Sequence, residues 1–482
     1  MLDFRPILLI NGLFLLILGM GMIFPALVDA YVGNPDWEVF AICSGLVMFV
    51  GGILYLTNRG EDEELTVRQA FLLTVSTWVI IPIFGALPFV FSDLALSYTD
   101  AFFEAMSGLS TTGSTVITGL DGAPPGILMW RGLLQWFGGV GIIIMAVIIL
   151  PFLRVGGMQL FKIGAFDTSE KVLPRAGQLG IAISLLYVAL TIICAVALWW
   201  AGMSPFEAVC HSFTTIATGG FSTSDGSIGH FDSALIDYIV VIFMIVGSMP
   251  FILYLKMVQG NKDVLWRDSQ VRWFLALLCV VILFMALWLW GGGQYGFSDA
   301  LRYTSFNVVS ILTGTGFATT DYTAWGGVAV AVFFFIMFIG GCAGSTSCGI
   351  KIFRFQVLCS MFAAHLKHLL RPNGIFIPRY NDQPMGHEVM GSVISYLSMF
   401  IACFLILAIG LSLTGLDFMT AISGAGTAIS NVGPALGPVI GPSGTFQTLP
   451  DTAKWFLTFG MLLGRLELFA VLVLFSPQFW KN

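Results

Sequence analysis

Charge is what this sequence has least of. Only 10% of its 482 residues are Asp, Glu, Lys or Arg, against about 25% in soluble globular proteins, so the chain lacks the polar surface that a set of soluble domains needs. Long basic runs are also missing and the net charge is −6, which argues against nucleic acid as a partner. The eight cysteines contain no C-x-x-C pair. Cys43, Cys194, Cys279 and Cys403 lie in apolar stretches and read as small buried hydrophobes, neither a disulfide framework nor a zinc site. The histidines (His211, His230, His365, His368, His387) have no metal-ligand spacing. Gly139-Val140-Gly141 runs into an apolar stretch without the later acid that a dinucleotide fingerprint requires. No nucleophile–base pair is visible in the apolar segments, so neither an enzyme nor a resident cofactor is expected.

What the chain has instead is apolar length. It is 57% hydrophobic with a mean hydropathy of +0.91, the signature of an all-α polytopic membrane protein. A spanning helix needs about 20 apolar residues, and ten stretches qualify: 6–28, 38–57, 69–92, 127–153, 178–201, 234–258, 271–291, 326–364, 388–413 and 453–476. Between them lie four shorter segments near 99–112, 204–217, 298–313 and 417–430, too brief to cross and suited to re-entry. Most of the 21 basic residues follow the even-numbered spans, among them Arg59, Arg154, Lys162, Lys171, Lys256, Arg267, Lys351, Arg354, Lys367 and Arg371. The excess of positive charge on inner loops then places both termini in the cytoplasm and the four short segments on the outer side.

Past the first two spans one plan recurs four times: span, short segment, Gly/Thr-rich turn, span, basic linker. The turns read Ser110-Thr111-Thr112-Gly113, Ala217-Thr218-Gly219-Gly220, Thr313-Gly314-Thr315-Gly316 and Ser430-Asn431-Val432-Gly433, aligned here on Gly113, Gly219, Gly316 and Gly433. Phe103-Glu104-Ala105 is answered by Phe206-Glu207-Ala208. Irregular backbone survives at membrane depth only when buried in protein or lining a watery cavity. Four such turns about one axis would present rings of carbonyls able to replace the hydration shell of a monovalent cation. Glycine suits turns whose carbonyls must all face one way, and the Thr and Ser hydroxyls can tie the turns to their surroundings. The short helices have N-caps expected at Thr99, Ser204, Ser298 and Asp417, so their partially negative C-terminal ends aim at the shared cavity. The outer loops hold Asp29, Asp36, Asp93, Asp121, Asp225, Asp232 and Asp321, a carboxylate excess that is either plain solvated surface or a weak concentrator of cations.

These turns, together with His211-to-Thr223 (HSFTTIATGGFST), Val309-to-Thr319 (VSILTGTGFAT), Gly340-to-Lys351 (GGCAGSTSCGIK) and Asn431-to-Gly437 (NVGPALG), make the chain resemble the Trk/Ktr/HKT superfamily of potassium transporters, most closely the bacterial TrkH-type subunit. The resemblance covers essentially the whole chain. It implies four pseudo-symmetric M1–P–M2 units around one pore, K+ as the transported and bound ion, and a homodimer in the bacterial inner membrane. It also implies control by a cytoplasmic nucleotide-binding regulatory subunit of the TrkA type. The chain then divides into two N-terminal helices over 1–64 and pore repeats over 65–158, 159–258, 259–364 and 365–482. The ion-binding turns are Thr111, Thr112 and Gly113; Ala217, Thr218 and Gly219; Thr313, Gly314, Thr315 and Gly316; and Ser430, Asn431, Val432 and Gly433.

Two further features sit inside the spans. Gly340, Gly341, Gly344 and Gly349, with Ser345, Thr346 and Ser347 among them, make a poor helix interior at about 1 kcal/mol per Gly. The stretch is either close helix packing through small residues or, as the resemblance implies, an intramembrane loop that gates the pore. Arg465 lies midway along the last span, where a base costs about 2.5–3.5 kcal/mol if it faces lipid. Glu467, two residues on, does not face the same side. The resemblance places Arg465 beside the pore as a barrier to cations; a structural ion pair is the alternative. Lys351 either acts similarly or anchors the inner membrane surface. An ion-coupled K+ or Na+ symporter is the competing function, although the spans are nearly free of the acids such coupling uses.

Overall fold

The computed structural model describes residues 3–60, 65–149, 155–158, 172–381 and 383–481; Arg154, Lys162 and Lys171 of the first basic linkers fall outside the described residues. Two helices open the chain, α1 (Arg5–Val32) and α2 (Asp36–Thr57). Then an outer helix, a short pore helix and an inner helix follow in that order four times. Repeat 1 is α3 (Val67–Gly85), α4 (Tyr98–Leu109) and α5 (Pro125–Ile144); repeat 2 is α6 (Val172–Trp200), α7 (Pro205–Ile216) and the pair α8 (Ala234–Gly247) and α9 (Phe251–Val258). Repeat 3 is α10 (Ser269–Gly291), α11 (Phe297–Thr313) and α12 (Gly327–Ile336) with α13 (Ile352–Leu370). Repeat 4 is α14 (His387–Leu413), α15 (Phe418–Ser430) and α16 (Asp451–Arg465) with α17 (Phe469–Leu472). Among the described residues the only strands are the pair Arg379–Tyr380 and Gln383–Pro384.

Among the described residues seven helices are long and apolar enough to cross a membrane, and two bent pairs bring the number to nine. Three of the ten expected spans are therefore not single helices. The sixth bends by 91° between α8 and α9, where Pro250 lacks an N–H and disfavours helix in the residue before it. The eighth is a ten-residue helix, α12, followed by an irregular segment and α13. The tenth bends by 107° between α16 and α17, where Glu467 and Leu468 adopt φ of 57° and 55°. Hydropathy registers apolar length and is blind to such breaks.

Two of the four expected pore-helix caps hold. Ser204 and Glu207 form a reciprocal capping box on α7, and Asp417 accepts from Thr420 N on α15. On α4 the cap is Ser97, not Thr99: its hydroxyl accepts from Asp100 N and donates to the Asp100 carboxylate. On α11 it is Gly296, with no side-chain bond, not Ser298. The acid three residues on marks Ser97 as the better cap.

The N-terminal hairpin buttresses repeat 1. Gly12 and Gly51 meet face to face: a Cβ on Gly51 would stand 2.9 Å from the Gly12 carbonyl oxygen, and one on Gly12 would stand 2.8 Å from that of Gly51. Small residues of this kind let membrane helices approach closely. Asn11 on α1 donates to Ser76 Oγ at 2.9 Å and accepts from Thr77 Oγ1 at 2.8 Å on α3. Asp29 and Asp36 are not solvated loop acids as expected; both are buried. Asp29 accepts from Gly126 N at 2.6 Å, placing a carboxylate at the positive end of α5, and Asp36 accepts from Asp93 N at 3.1 Å. Gly51→Val is expected to cost about 1–3 kcal/mol through overpacking, lowering the thermal midpoint in detergent. Gly52→Ala, whose added Cβ meets nothing within 4 Å, should melt with wild type. Equal melting of both variants would show that the glycine contact does not hold the hairpin.

Candidate functional site

All four pore helices end in one way. Each passes into the left-handed region, at Thr111 (φ 51°), Thr218 (50°), Gly314 (74°) and Asn431 (52°). The amides there fold back on the last helical turn. Thr111 N donates to Gly108 O and Thr112 N to Ser107 O, both at 2.9 Å; Thr218 N to Thr215 O at 3.1 Å and Gly219 N to Thr214 O at 2.8 Å. Gly314 N donates to Ile311 O at 3.0 Å and Thr315 N to Ser310 O at 2.8 Å; Asn431 N to Ala428 O at 3.3 Å and Val432 N to Thr427 O at 3.1 Å. This double closure satisfies carbonyls that a helix C-terminus leaves open. Two residues after each left-handed position the backbone turns positive again, at Gly113 (87°), Gly220 (78°), Gly316 (86°) and Gly433 (105°).

The second repeat thus departs from the register read from sequence. The glycine equivalent to Gly113 is Gly220, while Gly219 corresponds to Thr112, Thr315 and Val432. Adjacent glycines made the alignment ambiguous. The signal that resolves it is Thr218, which precedes Gly220 by two residues as Thr111 precedes Gly113. Ala217, Thr313 and Ser430 lie just before the turns, Ala217 capping α7 and the other two closing α11 and α15.

The turns close into a ring through these glycines. A Cβ on Gly113 would stand 2.2 Å from Gly219 O, one on Gly220 2.0 Å from Thr315 O, one on Gly316 2.1 Å from Val432 O, and one on Gly433 2.6 Å from Thr112 O. Each turn therefore leans on the carbonyl of the next, and the fourth returns to the first. Gly113, Gly220, Gly316 and Gly433 all line one cavity of ≈ 280 Å³ on the mouth side. Ser110 Oγ bonds Thr112 Oγ1 at 2.6 Å, and Thr313 Oγ1 bonds Thr315 Oγ1 at 2.7 Å. Asn431 Nδ2 donates to Thr112 Oγ1 at 2.9 Å and Ser114 Oγ to Gly433 O at 2.8 Å, stitching repeat 4 to repeat 1. The C-terminal ends of α4, α7, α11 and α15 all meet at this ring, an arrangement that favours a cation and disfavours an anion.

Behind the ring, Arg131 and Glu104 form a buried ion pair at 2.8 Å. Arg131 also donates to Ser222 O at 2.8 Å and Thr115 Oγ1 at 3.1 Å, and Glu104 accepts from Val116 N at 2.9 Å. At the cavity mouth the Asp225 carboxylate accepts from Gly119 N and Leu120 N. Asp121 close by is held below the usual carboxylate range, foremost by a hydrogen bond from Ser224.

Directly beneath the ring lies the irregular segment Gly340–Gly349. Its neck is closed by Gly340 N to Ile350 O at 3.0 Å and Ile350 N to Phe338 O at 2.9 Å, and a Cβ on Gly340 would stand 1.7 Å from Cys348 O. The segment is a loop, not a packed helix of small residues. Thr346 Oγ1 meets Thr218 Oγ1 of the ring at 3.2 Å. The loop is docked into the break between α8 and α9. Cys342 N donates to Ser248 O at 3.0 Å, Thr346 N to Gly247 O at 3.2 Å, and Phe251 N to Gly344 O at 3.0 Å. Backbone groups freed by a broken helix are thereby satisfied by the irregular loop of another repeat.

Arg465 is 1% exposed and its partners are neutral. It donates to Thr346 O at 3.1 Å, to Gly138 O at 3.1 Å and to Cys348 Sγ, with Trp78 5.5 Å away. With Gly344, Ser345, Gly349 and Lys351 it lines a narrow cavity of ≈ 20 Å³. Glu467 pairs with Arg354 instead, whose guanidinium also stacks 3.6 Å from the Tyr396 ring and donates to Gly156 O at 3.1 Å. Lys351 is buried, stands as the residue before α13 and donates back to Ser347 O, so its side chain belongs to the loop and is not an exposed anchor. Sequence reasoning missed Gly220, the Arg131–Glu104 pair and Arg354. A buried base and acid in otherwise apolar segments was the available signal.

Residues 38–482 match the family model described as "TrkH: Cation transport protein". The chain is 43% identical to the Trk system potassium uptake protein TrkI of Halomonas elongata over 99% of this chain and 97% of that protein. It is 39% identical to the Trk system potassium uptake protein TrkH of Escherichia coli over 99% of this chain and 100% of that one. The crystal structure of the potassium transporter TrkH from Vibrio parahaemolyticus is similar with a TM-score of 0.93, 38% sequence identity and complete coverage of both chains. These relatives are named as transporters, not enzymes. Four pore turns closed into one ring, with a loop and an arginine beneath them, are the work of a chain that belongs to the TrkH family of cation transport proteins.

Proposed function

We propose that this chain is the membrane subunit of a bacterial potassium-uptake system, with the four turns as its K+ (and Rb+) filter. The observation that carries the reading is the closed ring, in which each turn's glycine sits against the next turn's carbonyl. The names of its relatives, potassium uptake proteins and a potassium transporter, support the same ion. Residues 1–64 serve as a supporting hairpin and 65–158, 159–258, 259–364 and 365–482 as the pore repeats. The protein sits in the inner membrane with both termini cytoplasmic, acts as a homodimer, and is regulated by a cytoplasmic nucleotide-binding subunit of the TrkA type.

An ion entering the mouth cavity exchanges its water for the carbonyls of Thr112, Gly219, Thr315 and Val432 and their neighbours, with the four helix ends supplying negative potential. Below the ring the Gly340–Gly349 loop closes the path and Arg465 adds a positive charge. Because Arg465 donates to Thr346 O and Cys348 Sγ within the loop and to Gly138 O outside it, displacing the loop leaves the arginine held by Gly138 O alone. Channel-like passage is favoured over ion-coupled symport because three of the five buried acids among the described residues are held by guanidinium groups, Glu104 by Arg131, Asp237 by Arg302 and Glu467 by Arg354. The other two, Asp29 and Asp36, accept from backbone amides at the N-terminal hairpin and line neither cavity. A carboxylate held by a guanidinium is poorly placed to exchange a coupling proton.

The test of the ion is competition against Rb+ uptake in proteoliposomes, where K+ should compete well and Na+ and Li+ poorly. Gly113→Ser places a side chain at φ 87° and 2.2 Å from Gly219 O. It should narrow the K+ over Na+ preference by at least about tenfold, equivalent to ~1.4 kcal/mol; an unchanged preference would argue against the ring as filter. Arg465→Ala should raise cation flux several-fold with K+ preference largely kept, since the barrier lies outside the ring. Unchanged flux in folded protein would return Arg465 to a structural role. Deleting part of Gly340–Gly349 should raise basal flux and weaken control by the cytoplasmic partner, whereas wild-type flux from a folded deletion variant would make the loop a packing element.

A further inference from the structure

One face of α5 runs the length of the pathway. Arg131, Gln135 and Gly138 lie at positions i, i+4 and i+7, which share a helix face. Arg131 holds Ser222 O, and Gly138 O receives Arg465. Between them Gln135, fully buried, reaches from repeat 1 to the turn of repeat 2. Its Nε2 donates to Gly219 O at 2.6 Å and its Oε1 accepts from Phe221 N at 3.1 Å. The two bonds fix which end of the amide is which, since a carbonyl needs a donor and an amide N–H an acceptor. They also straddle Gly220, the glycine that packs on repeat 3.

The same contact accounts for the double glycine. A Cβ on Gly219 would stand 2.4 Å from the Gln135 amide, and one on Gly220 would stand 2.0 Å from Thr315 O. Thr112, Thr315 and Val432 occupy the position of Gly219 in the other turns. Repeat 2 therefore has the one ring segment with glycine at that position and at the next, which is the most conformationally free backbone available. A carbonyl there needs an external holder to keep its place when no K+ is present.

We infer that Gln135 is a positioning residue for ion choice, holding the Gly219 carbonyl of the second turn at the spacing that suits K+. The inference rests on the reading of the ring as the filter. Gln135 touches no ion; it acts through Gly219 and Phe221. With its two bonds gone, the Gly219–Gly220 segment relaxes and accommodates a smaller ion.

The test measures K+ and Na+ competition against Rb+ uptake by full-length protein in proteoliposomes, with the folded fraction checked by gel filtration. Gln135→Met keeps the side chain's length and removes both hydrogen bonds. Gln135→Glu keeps an acceptor for Phe221 N and sets a carboxylate against Gly219 O. Thr191→Val is the control: it removes the bond from Trp136 Nε1 at 3.1 Å, one residue along the same helix and away from the ring. Gln135→Met is expected to lower the K+ over Na+ preference by about fivefold or more, on the scale of one buried hydrogen bond, and Gln135→Glu should shift it in the same direction. Thr191→Val should keep the wild-type ratio. If Gln135→Met does not fold, Gln135→Glu carries the same test. A wild-type ratio in either folded Gln135 variant, or an equal shift in Thr191→Val, overturns the inference. A wild type without K+ preference would instead overturn the filter reading on which it rests.

Discussion

One constraint shapes the ring on which the rest of the structure converges: the backbone carbonyls of four turns are brought together inside a membrane protein without leaving the turns' amides unpaired. Unsatisfied backbone in such surroundings costs several kcal/mol per group. The chain meets the requirement by making each turn support its neighbour. The left-handed closure at Thr111, Thr218, Gly314 and Asn431 uses up the free amides locally. The glycines two residues on then allow the next carbonyl to approach closer than any Cβ would permit. Buried polar side chains complete the ring from behind. Asn431 reaches Thr112, Ser114 reaches Gly433, and the Arg131–Glu104 pair anchors the extended segments that leave the first two turns. A buried pair of this kind adds little net stability over apolar packing; its value here is to fix where those segments run.

The same logic of borrowed hydrogen bonds explains the lower half of the pathway. The inner helices of repeats 2, 3 and 4 are all interrupted, and the interruptions are spent on one another. Carbonyls released at Gly247 and Ser248 receive amides from the loop of repeat 3, and the loop in turn offers Gly344 O to Phe251 N. The break after Arg465 turns that guanidinium onto Thr346 O and Gly138 O and leaves Glu467 to meet Arg354. The loop is thus a buried segment without regular helix, tied to repeats 2 and 4 by hydrogen bonds from residues far along the chain.

The fourfold plan, the position of the loop and the burial of Arg465 were all legible in the sequence, because glycine, threonine and a base midway along an apolar span stand out. What stayed hidden was geometry that several residues fit equally well. Gly219 and Gly220 are interchangeable in an alignment and opposite in conformation, one packed on Gln135 and the other on Thr315. Ser97 and Thr99 are both good caps, and only the bond to Asp100 separates them. Asp29 and Asp36 read as loop acids because their partners, Gly126 N and Asp93 N, lie far along the chain. Glu467 was correctly set aside as a partner for Arg465, yet nothing local names Arg354, more than a hundred residues away, as its counterion.

The central claim is that the carbonyls of Thr112, Gly219, Thr315 and Val432 form a cation site on the axis of the ring. Anomalous diffraction from crystals equilibrated with Rb+ tests it most directly. The account predicts an Rb+ peak between those four carbonyls that added K+ displaces and the same concentration of added Na+ leaves in place. Ordered Rb+ found only elsewhere, or an equal peak position and occupancy for a non-permeant cation, would contradict it.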